Sequence, residues 1–294
     1  MQPYLREHYF YQMEKTVIIT GGNDGIGFST AKALAAKNWH VIIICRNEIK
    51  AKEAVELIHK ETGNQKIEYA LCDLSKQSSI KDVVFKIRTM VEKIDVLINN
   101  AGGTFSDFKL TEDGIEQTIA LNHFAYHILT VQLLDLIKKA GNGRIINVSS
   151  GSHYRASLDF ESFTKNKGYF ILSAYAQSKL CNVLFTFELA ERLKDTKITV
   201  NCLHPGRVKT DIGTKKTMNA IHAIVWKLLV SAMGITVEEG AKTSVFLAES
   251  PEVSNITGHY FDKCKVRKPD SRAFNEDLRK QLWEITEKLI HRFD

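Results

Sequence analysis

Residues 15–37 read Lys-Thr-Val-Ile-Ile-Thr-Gly-Gly-Asn-Asp-Gly-Ile-Gly-Phe-Ser-Thr-Ala-Lys-Ala-Leu-Ala-Ala-Lys, and this stretch constrains the rest of the chain most. Its first part, Thr16 to Thr20, is a short apolar, β-branched run suited to a strand buried on both faces of a parallel sheet. A helix is expected from near Gly25. Between them Gly21, Gly25 and Gly27, with Asn23, Asp24 and Ile26 interspersed, form a tight turn. Missing Cβ atoms permit unusual φ/ψ angles there and let a ligand approach the backbone. The turn delivers the chain to a helix N-terminus, whose free N–H groups and dipole favour an anion such as a pyrophosphate. A nucleotide site follows. A phosphate-binding P-loop would need Gly-Lys-Ser/Thr at the helix start, whereas Gly25-Ile26-Gly27 is followed by Phe28, which disfavours ATP or GTP hydrolysis.

Helix and strand patterns alternate along the whole chain, as a doubly wound α/β sheet requires. About seven strands are expected, near Thr16–Thr20, His40–Ile44, Ile67–Leu71, Val96–Asn99, Arg144–Val148, Ile198–Leu203 and His259–Phe261. Helices are expected at about Gly25–Lys37, Ile49–Thr62, Ser78–Lys93, Thr111–Ala140 and Ala174–Lys194. The 294 residues suit one such domain, and no linker-like composition break or short internal repeat divides them. The expected organisation is an extension over residues 1–14 and one domain over 15–294.

The net charge of +6, from 40 basic and 34 acidic residues, is scattered without a run of five like charges, so no nucleic-acid partner is implied. Five cysteines, Cys45, Cys72, Cys181, Cys202 and Cys264, are widely spaced and mostly in apolar runs; they read as reduced core residues, and no Cys-x-x-Cys spacing suggests a metal. Met1 to Glu14 is interrupted by Arg6, Glu7 and His8 before a signal-peptide core develops, which leads to the expectation of a cytoplasmic protein. The most hydrophobic long stretch, Met218 to Met233, contains Asn219, His222 and Lys227 and is shorter than the ~20 residues that span a bilayer. Asn147-Val-Ser149 and Asn255-Ile-Thr257 match the glycosylation pattern, the first within an apparent buried strand.

The second strand ends in Ile44-Cys45-Arg46, about where a dinucleotide fold chooses its cofactor. An acidic residue there would bind the adenosine ribose hydroxyls and repel a 2′-phosphate; Arg46 can instead grip that phosphate, so NADP (NADPH) is favoured over NAD, with Glu48 nearby as a competing signal. Cys72-Asp73-Leu74 places a carboxylate at the carboxyl end of the third strand, the edge at which open α/β sheets bind ligands. Asn99-Asn100-Ala101-Gly102 follows the fourth strand. Val148-Ser149-Ser150 ends the fifth, so a serine hydroxyl projects toward the same edge, and Tyr175 and Lys179 share one face of a helix.

Together Thr20-Gly21-x-x-x-Gly25-Ile26-Gly27, Asn99-Asn100-Ala101-Gly102, the strand-terminal serine and Tyr175-x-x-x-Lys179 resemble the short-chain dehydrogenase/reductase family over about Lys15 to Phe261. The Ser150-to-Tyr175 interval, Cys45-Arg46, Leu180-Cys-Asn-Val-Leu-Phe185, Glu238-Glu239-Gly240-Ala and Gly258-His-Tyr-Phe261 resemble its retinol-dehydrogenase-like branch. The resemblance implies a Rossmann-type fold and an adenine contact for Asp73, with Leu74 beside it. It places Asn100, Ala101 and Gly102 along the cofactor. It assigns Ser150, with Ser149 as the alternative, to the substrate oxygen, Tyr175 to proton transfer, and Asn122, in Ala120-Leu-Asn-His-Phe, to a water link with Lys179. Lys179 would also hold the nicotinamide ribose, and its charge would favour tyrosinate. His204-Pro205-Gly206-Arg-Val208-Lys-Thr210 resembles the loop facing the nicotinamide, with Thr210 on the carboxamide. The implied activity is interconversion of an alcohol and an aldehyde or ketone on an apolar small molecule, a retinoid, isoprenoid, steroid or lipid aldehyde. A dinucleotide-sensing protein with vestigial catalytic groups is the alternative. Residues 211–235 are expected to form a substrate lid with one apolar face, in peripheral contact with a membrane. A homo-oligomer is compatible with this reading.

Overall fold

The computed structural model describes residues 14–208 and 234–290. Thr16–Thr20 forms β1, and Gly25–Ala35 forms α1 immediately after the glycine turn. The chain continues through β2 (His40–Cys45), α2 (Glu48–Thr62), β3 (Ile67–Leu71), α3 (Gln77–Met90) and β4 (Val96–Asn99). The next helix, α4, is assembled from Gln117–Ile119, a π turn Ala120–Phe124 and Ala125–Lys139. It is followed by β5 (Arg144–Val148), α5 (Ile171–Arg192), β6 (Thr199–His204), α6 (Val237–Glu249), β7 (His259–Asp262), β8 (Lys265–Arg267) and α7 (Glu276–Ile290).

The strands form one sheet in the order β3-β2-β1-β4-β5-β6-β7-β8, parallel except for β8. Alternate residues of each central strand face opposite layers, and both layers are apolar. Ile18, Ile42, Leu97 and Ile145 pack with Val84, Leu129, Leu184 and Leu282 from α3, α4, α5 and α7. Val17, Ile43, Ile98 and Leu203 pack with Leu34, Ile58 and Leu247 from α1, α2 and α6. This two-sided burial is why the strands read as continuous apolar runs. Each such Val, Leu or Ile contributes about 1.5–3 kcal/mol.

All seven expected strands are present. The eighth was missed: β7 and β8 are joined by Lys263 and Cys264, whose φ angles of 51° and 58° make a tight primed turn without the Asn-Gly that announces one. The expected helix over Thr111–Ala140 is corrected at its start. Residues 111–116 turn back on themselves, with Leu110 bridging Glu116, and the helix begins at Gln117 because the Glu116 carboxylate accepts the Thr118 and Ile119 N–H groups. Four cysteines are buried, Cys264 is half-buried, and all five are free thiols. Asn147 is 0% exposed and donates to Thr186, so the first glycosylation triplet is closed to modification, whereas Asn255 is exposed. Among the described residues no helix is long and apolar enough to cross a membrane. The expected lid lies outside the described residues as far as 233, as do Thr210 and most of the extension, residues 1–13.

Candidate active site

The order β2-β1-β4 reverses the direction in which the sheet is wound, and the glycine turn sits at the carboxyl end of β1 beside this switch point. Gly21 and Gly25 have φ of 67° and 53°. A Cβ on Gly27 would lie 2.2 Å from the Gly21 carbonyl oxygen and 2.5 Å from Asn100 Nδ2, so only glycine lets α1 approach the turn. At the N-cap of α1, Asp24 makes no side-chain cap and the first turn carries no acidic residue. The leading N–H groups thus remain available to an anion, a cradle that fits a dinucleotide pyrophosphate. Asn23 and Ile26 are half-buried in the same turn.

Thr20 is the hub that joins this turn to the one after β4. Its hydroxyl accepts the Asn100 and Ala101 N–H groups at 2.8 and 2.9 Å, while Asn100 Nδ2 donates to the Thr20 carbonyl at 2.8 Å. Asn99 turns inward and donates to Thr130 and Asn147, tying β4 to β5 and α4. Arg46 lies exposed just beyond β2, with no hydrogen-bonding or ionic partner among the described residues. Its neighbour Glu48 is engaged by Lys52 at 2.9 Å and by the Tyr69 hydroxyl at 3.4 Å. Lys50, absent from the sequence reading, stands in the first turn of α2 with Nζ 3.9 Å from Asp24. Its signal was the spacing Arg46-x-x-x-Lys50. At the end of β3 Asp73 spends one carboxylate oxygen on Ser75, and Leu74 is buried.

The serine, tyrosine and lysine converge at the carboxyl ends of β4 to β6. Ser149 and Ser150 separate cleanly: the Ser149 hydroxyl is buried and donates to the Lys179 carbonyl at 2.8 Å, whereas the Ser150 hydroxyl accepts the Ser152 N–H at 3.2 Å and faces the Tyr175 phenol, whose ionisation it favours. Lys179 is 3% exposed, with Nζ donating to the Val148 carbonyl at 3.0 Å and lying 5.7 Å from the Tyr175 ring centroid and 5.6 Å from that of Tyr126. Tyr126, which no sequence pattern marked, is held by its hydroxyl donating to the Ala101 carbonyl. A Cβ on Gly102 would come within 3.2 Å of both Lys179 Nζ and Asn122 Oδ1. Asn122 sits in the π turn, a distortion frequent at functional sites, and its amide exchanges hydrogen bonds with both backbone groups of Gly103 and donates to Ser178. Its side chain is thus spent on protein partners and makes no bond to Lys179.

Electrostatically the site corrects one expectation. Burial drives the Lys179 ammonium down to about 7 and pushes the Tyr175 phenol up from 10, the Ser150 hydrogen bond opposing the latter shift. Among the protein's own groups burial sets the direction of the Tyr175 shift and Ser150 alone opposes it. Across the site Pro205, Gly206 and Val208 follow β6, with Val208 bridging Ile235. A Cβ on Gly240 of α6 would meet Val208, Ile26 and Pro205, so this loop packs against the glycine turn. Thr210 falls outside the described residues, and the other site candidates share one edge of the sheet.

A family model described as short chain dehydrogenase matches residues 15–220. The human polyprenol dehydrogenase is 39% identical over 276 residues, covering 92% of this chain and 83% of the relative. Human retinol dehydrogenase 13 is 37% identical, covering 94% and 84%, and mouse retinol dehydrogenase 14 is 36% identical, covering 94% and 86%. Of solved structures, an uncharacterised protein from Mycobacterium paratuberculosis superposes with a TM-score of 0.74 at 27% identity, covering 94% of this chain and 93% of that one.

Proposed function

The chain belongs to the short-chain dehydrogenase/reductase family, in its retinol-dehydrogenase-like branch, and from that premise we propose that it is an NADP-dependent oxidoreductase interconverting an apolar alcohol and its aldehyde or ketone. The observation that carries this reading is the convergence of Ser150, Tyr175 and Lys179 beside the glycine cradle.

The cradle and the first turn of α1 hold the pyrophosphate, with Asp73 and Leu74 at the adenine and Asn100 to Gly102 along the cofactor. Pro205, Gly206 and Val208 would border the nicotinamide. Bound there, the dinucleotide supplies or accepts the hydride. Ser150 donates a hydrogen bond to the substrate oxygen and stabilises the charge that develops on it. Tyr175 gives that oxygen a proton in reduction and recovers it in oxidation. Lys179 holds the nicotinamide ribose and tunes the phenol, and Asn122 keeps the Gly103 turn and Ser178 in place beside it.

Three observations support NADP. Arg46 has no partner among the described residues, Lys50 stands one helical turn further on, and the Glu48 carboxylate is engaged by Lys52. The apolar substrate is supported by the names of the polyprenol and retinol dehydrogenases and by Phe170 and Leu172, 58% and 55% exposed at the start of the helix that carries Tyr175. Residues 211–235 would cover that substrate and touch a membrane. Incubating the purified protein with NADPH and a panel of retinoid, isoprenoid, steroid and short soluble carbonyls, following absorbance of the reduced cofactor, tests the reading. Turnover favouring long apolar carbonyls is expected; cofactor binding without turnover of any carbonyl or alcohol would identify a sensor instead.

A further inference from the structure

The 3₁₀ turn Gly151–Arg155, which follows Ser150, is held by a segment 114 to 117 positions later in the chain. The Tyr154 hydroxyl donates to the Lys268 carbonyl at 2.6 Å, the Asp270 N–H donates to His153 Nε2 at 3.3 Å, and Arg272 Nη1 donates to the Ala156 carbonyl at 2.8 Å. Arg272 is itself aligned by a two-point pair with the Asp270 carboxylate, at 2.8 and 3.0 Å. The whole segment thus acts as a strap across the turn.

His153 is the centre of this junction. It is 0% exposed, and its ring centroid lies 3.9 Å from that of Tyr154 and 4.8 Å from that of Tyr260. Its Nδ1 is 2.6 Å from the Ser150 carbonyl oxygen. A carbonyl only accepts, so Nδ1 carries the proton and Nε2 is left as the acceptor that Asp270 requires. One neutral tautomer therefore ties the backbone of Ser150 to the strap through both ring nitrogens.

We infer that His153 is a positioning residue, fixing the backbone from which the Ser150 hydroxyl reaches Tyr175 by locking the Gly151–Arg155 turn to residues 268–272. The inference rests on the reading of Ser150 as the hydroxyl that binds the substrate oxygen. No sequence pattern exposed it, because the strap and the turn meet only in the folded chain.

The lock is sensitive to protonation. A proton on Nε2 removes the acceptor and sets two N–H groups against each other. Facing the ring are Asp270 and Arg272 from the strap, Tyr154 from its own turn, Tyr260 from β7 and His204 from the end of β6. Burial, with His204 and Arg272, holds the ring neutral below the ordinary histidine range against the opposing pull of the Ser150 carbonyl and Asp270. The lock is therefore complete above about pH 6.5 and fails as pH falls through the depressed pKa of the folded state.

The test compares His153→Gln, whose amide keeps a donor and an acceptor but does not titrate, with His153→Ala. For each, kcat and KM for an apolar aldehyde are measured with NADPH from about pH 5 to about pH 8, together with NADPH affinity and amide hydrogen exchange over residues 150–156. His153→Ala is expected to lower kcat about tenfold or more, since small misplacements of reacting groups are costly, with NADPH affinity retained and amide protection reduced. His153→Gln is expected to recover most of the neutral-pH rate and protection while losing the acid decline. Wild-type kcat and protection in His153→Ala, or an acid decline in His153→Gln matching wild type, would overturn the inference. Should the wild type turn over no carbonyl, the functional reading fails alone, because the exchange data still decide whether His153 anchors the turn.

Discussion

Lys179 is buried and Tyr175 half-buried, and the chemistry of both follows from how far the fold shields them from water. A phenol pushed above 10 stays protonated at neutral pH, the form that gives up a proton in carbonyl reduction. Alcohol oxidation needs the opposite form. The kcat/KM for oxidation should therefore climb through the alkaline range while that for reduction declines there; oxidation that peaks below neutrality would refute this assignment. Tyr175→Phe removes only the transferable proton and should cost on the order of 10²- to 10⁴-fold in kcat with NADPH affinity retained. Lys179 carries the matching stability signature. Its pKa falls from 10.5 in water to about 7 in the folded protein, so the unfolded chain binds the extra proton between those limits and folding stability from this group rises with pH across that window. Its desolvation penalty is fully present below about pH 7. Lys179→Met should accordingly raise Tm over wild type at acid pH, by roughly 2 °C per kcal/mol recovered, and the gain should shrink toward alkaline pH. An equal gain at both ends would show that the lysine is charged in the folded state throughout.

At the level of the element, the same glycines that mark the nucleotide turn in the sequence are required by it in space. Gly21 and Gly25 adopt positive φ, and Gly27 leaves no room for a methyl group. The β7–β8 hairpin runs the other way, since Lys263 and Cys264 bear the same backbone strain without being glycine. Replacing them by Asn and Gly should stabilise the protein by about 1–2 kcal/mol, because left-handed conformations cost roughly that much per non-glycine residue. Thermal melting of Lys263→Asn with Cys264→Gly checks this, and an unchanged or lower Tm would mean that the Cys264 contacts with Thr243 outweigh the strain. The π turn in α4 and the caps at Glu116 and Asn47 are local devices that place Asn122 and Lys50. Of these only the Asn47 cap sits at a helix start that the sequence located to within one residue.

For the whole molecule, cofactor choice becomes measurable as stability. NADPH at a hundredfold its Kd should stabilise the fold by about 2.7 kcal/mol, with NADH stabilising less at the same concentration; Arg46→Asp should invert both that order and the ratio of kcat/KM for the two cofactors. Equal stabilisation by both in the wild type would remove Arg46 from the assignment. The sequence by itself determined the α/β class and all seven parallel strands, because each strand is written in contiguous residues whose periodicity acts locally, while the family resemblance brought Tyr175, Lys179 and one of two serines forward as site candidates. Only the tertiary structure decided which of Ser149 and Ser150 meets Tyr175, that Thr20 and Tyr126 brace the cofactor edge, that Glu48 is neutralised by Lys52, and that a strap from residues 268–272 closes on the turn after Ser150. The reversal of the Tyr175 shift belongs with them, since desolvation depends on every layer packed around a group and no short stretch of chain records it.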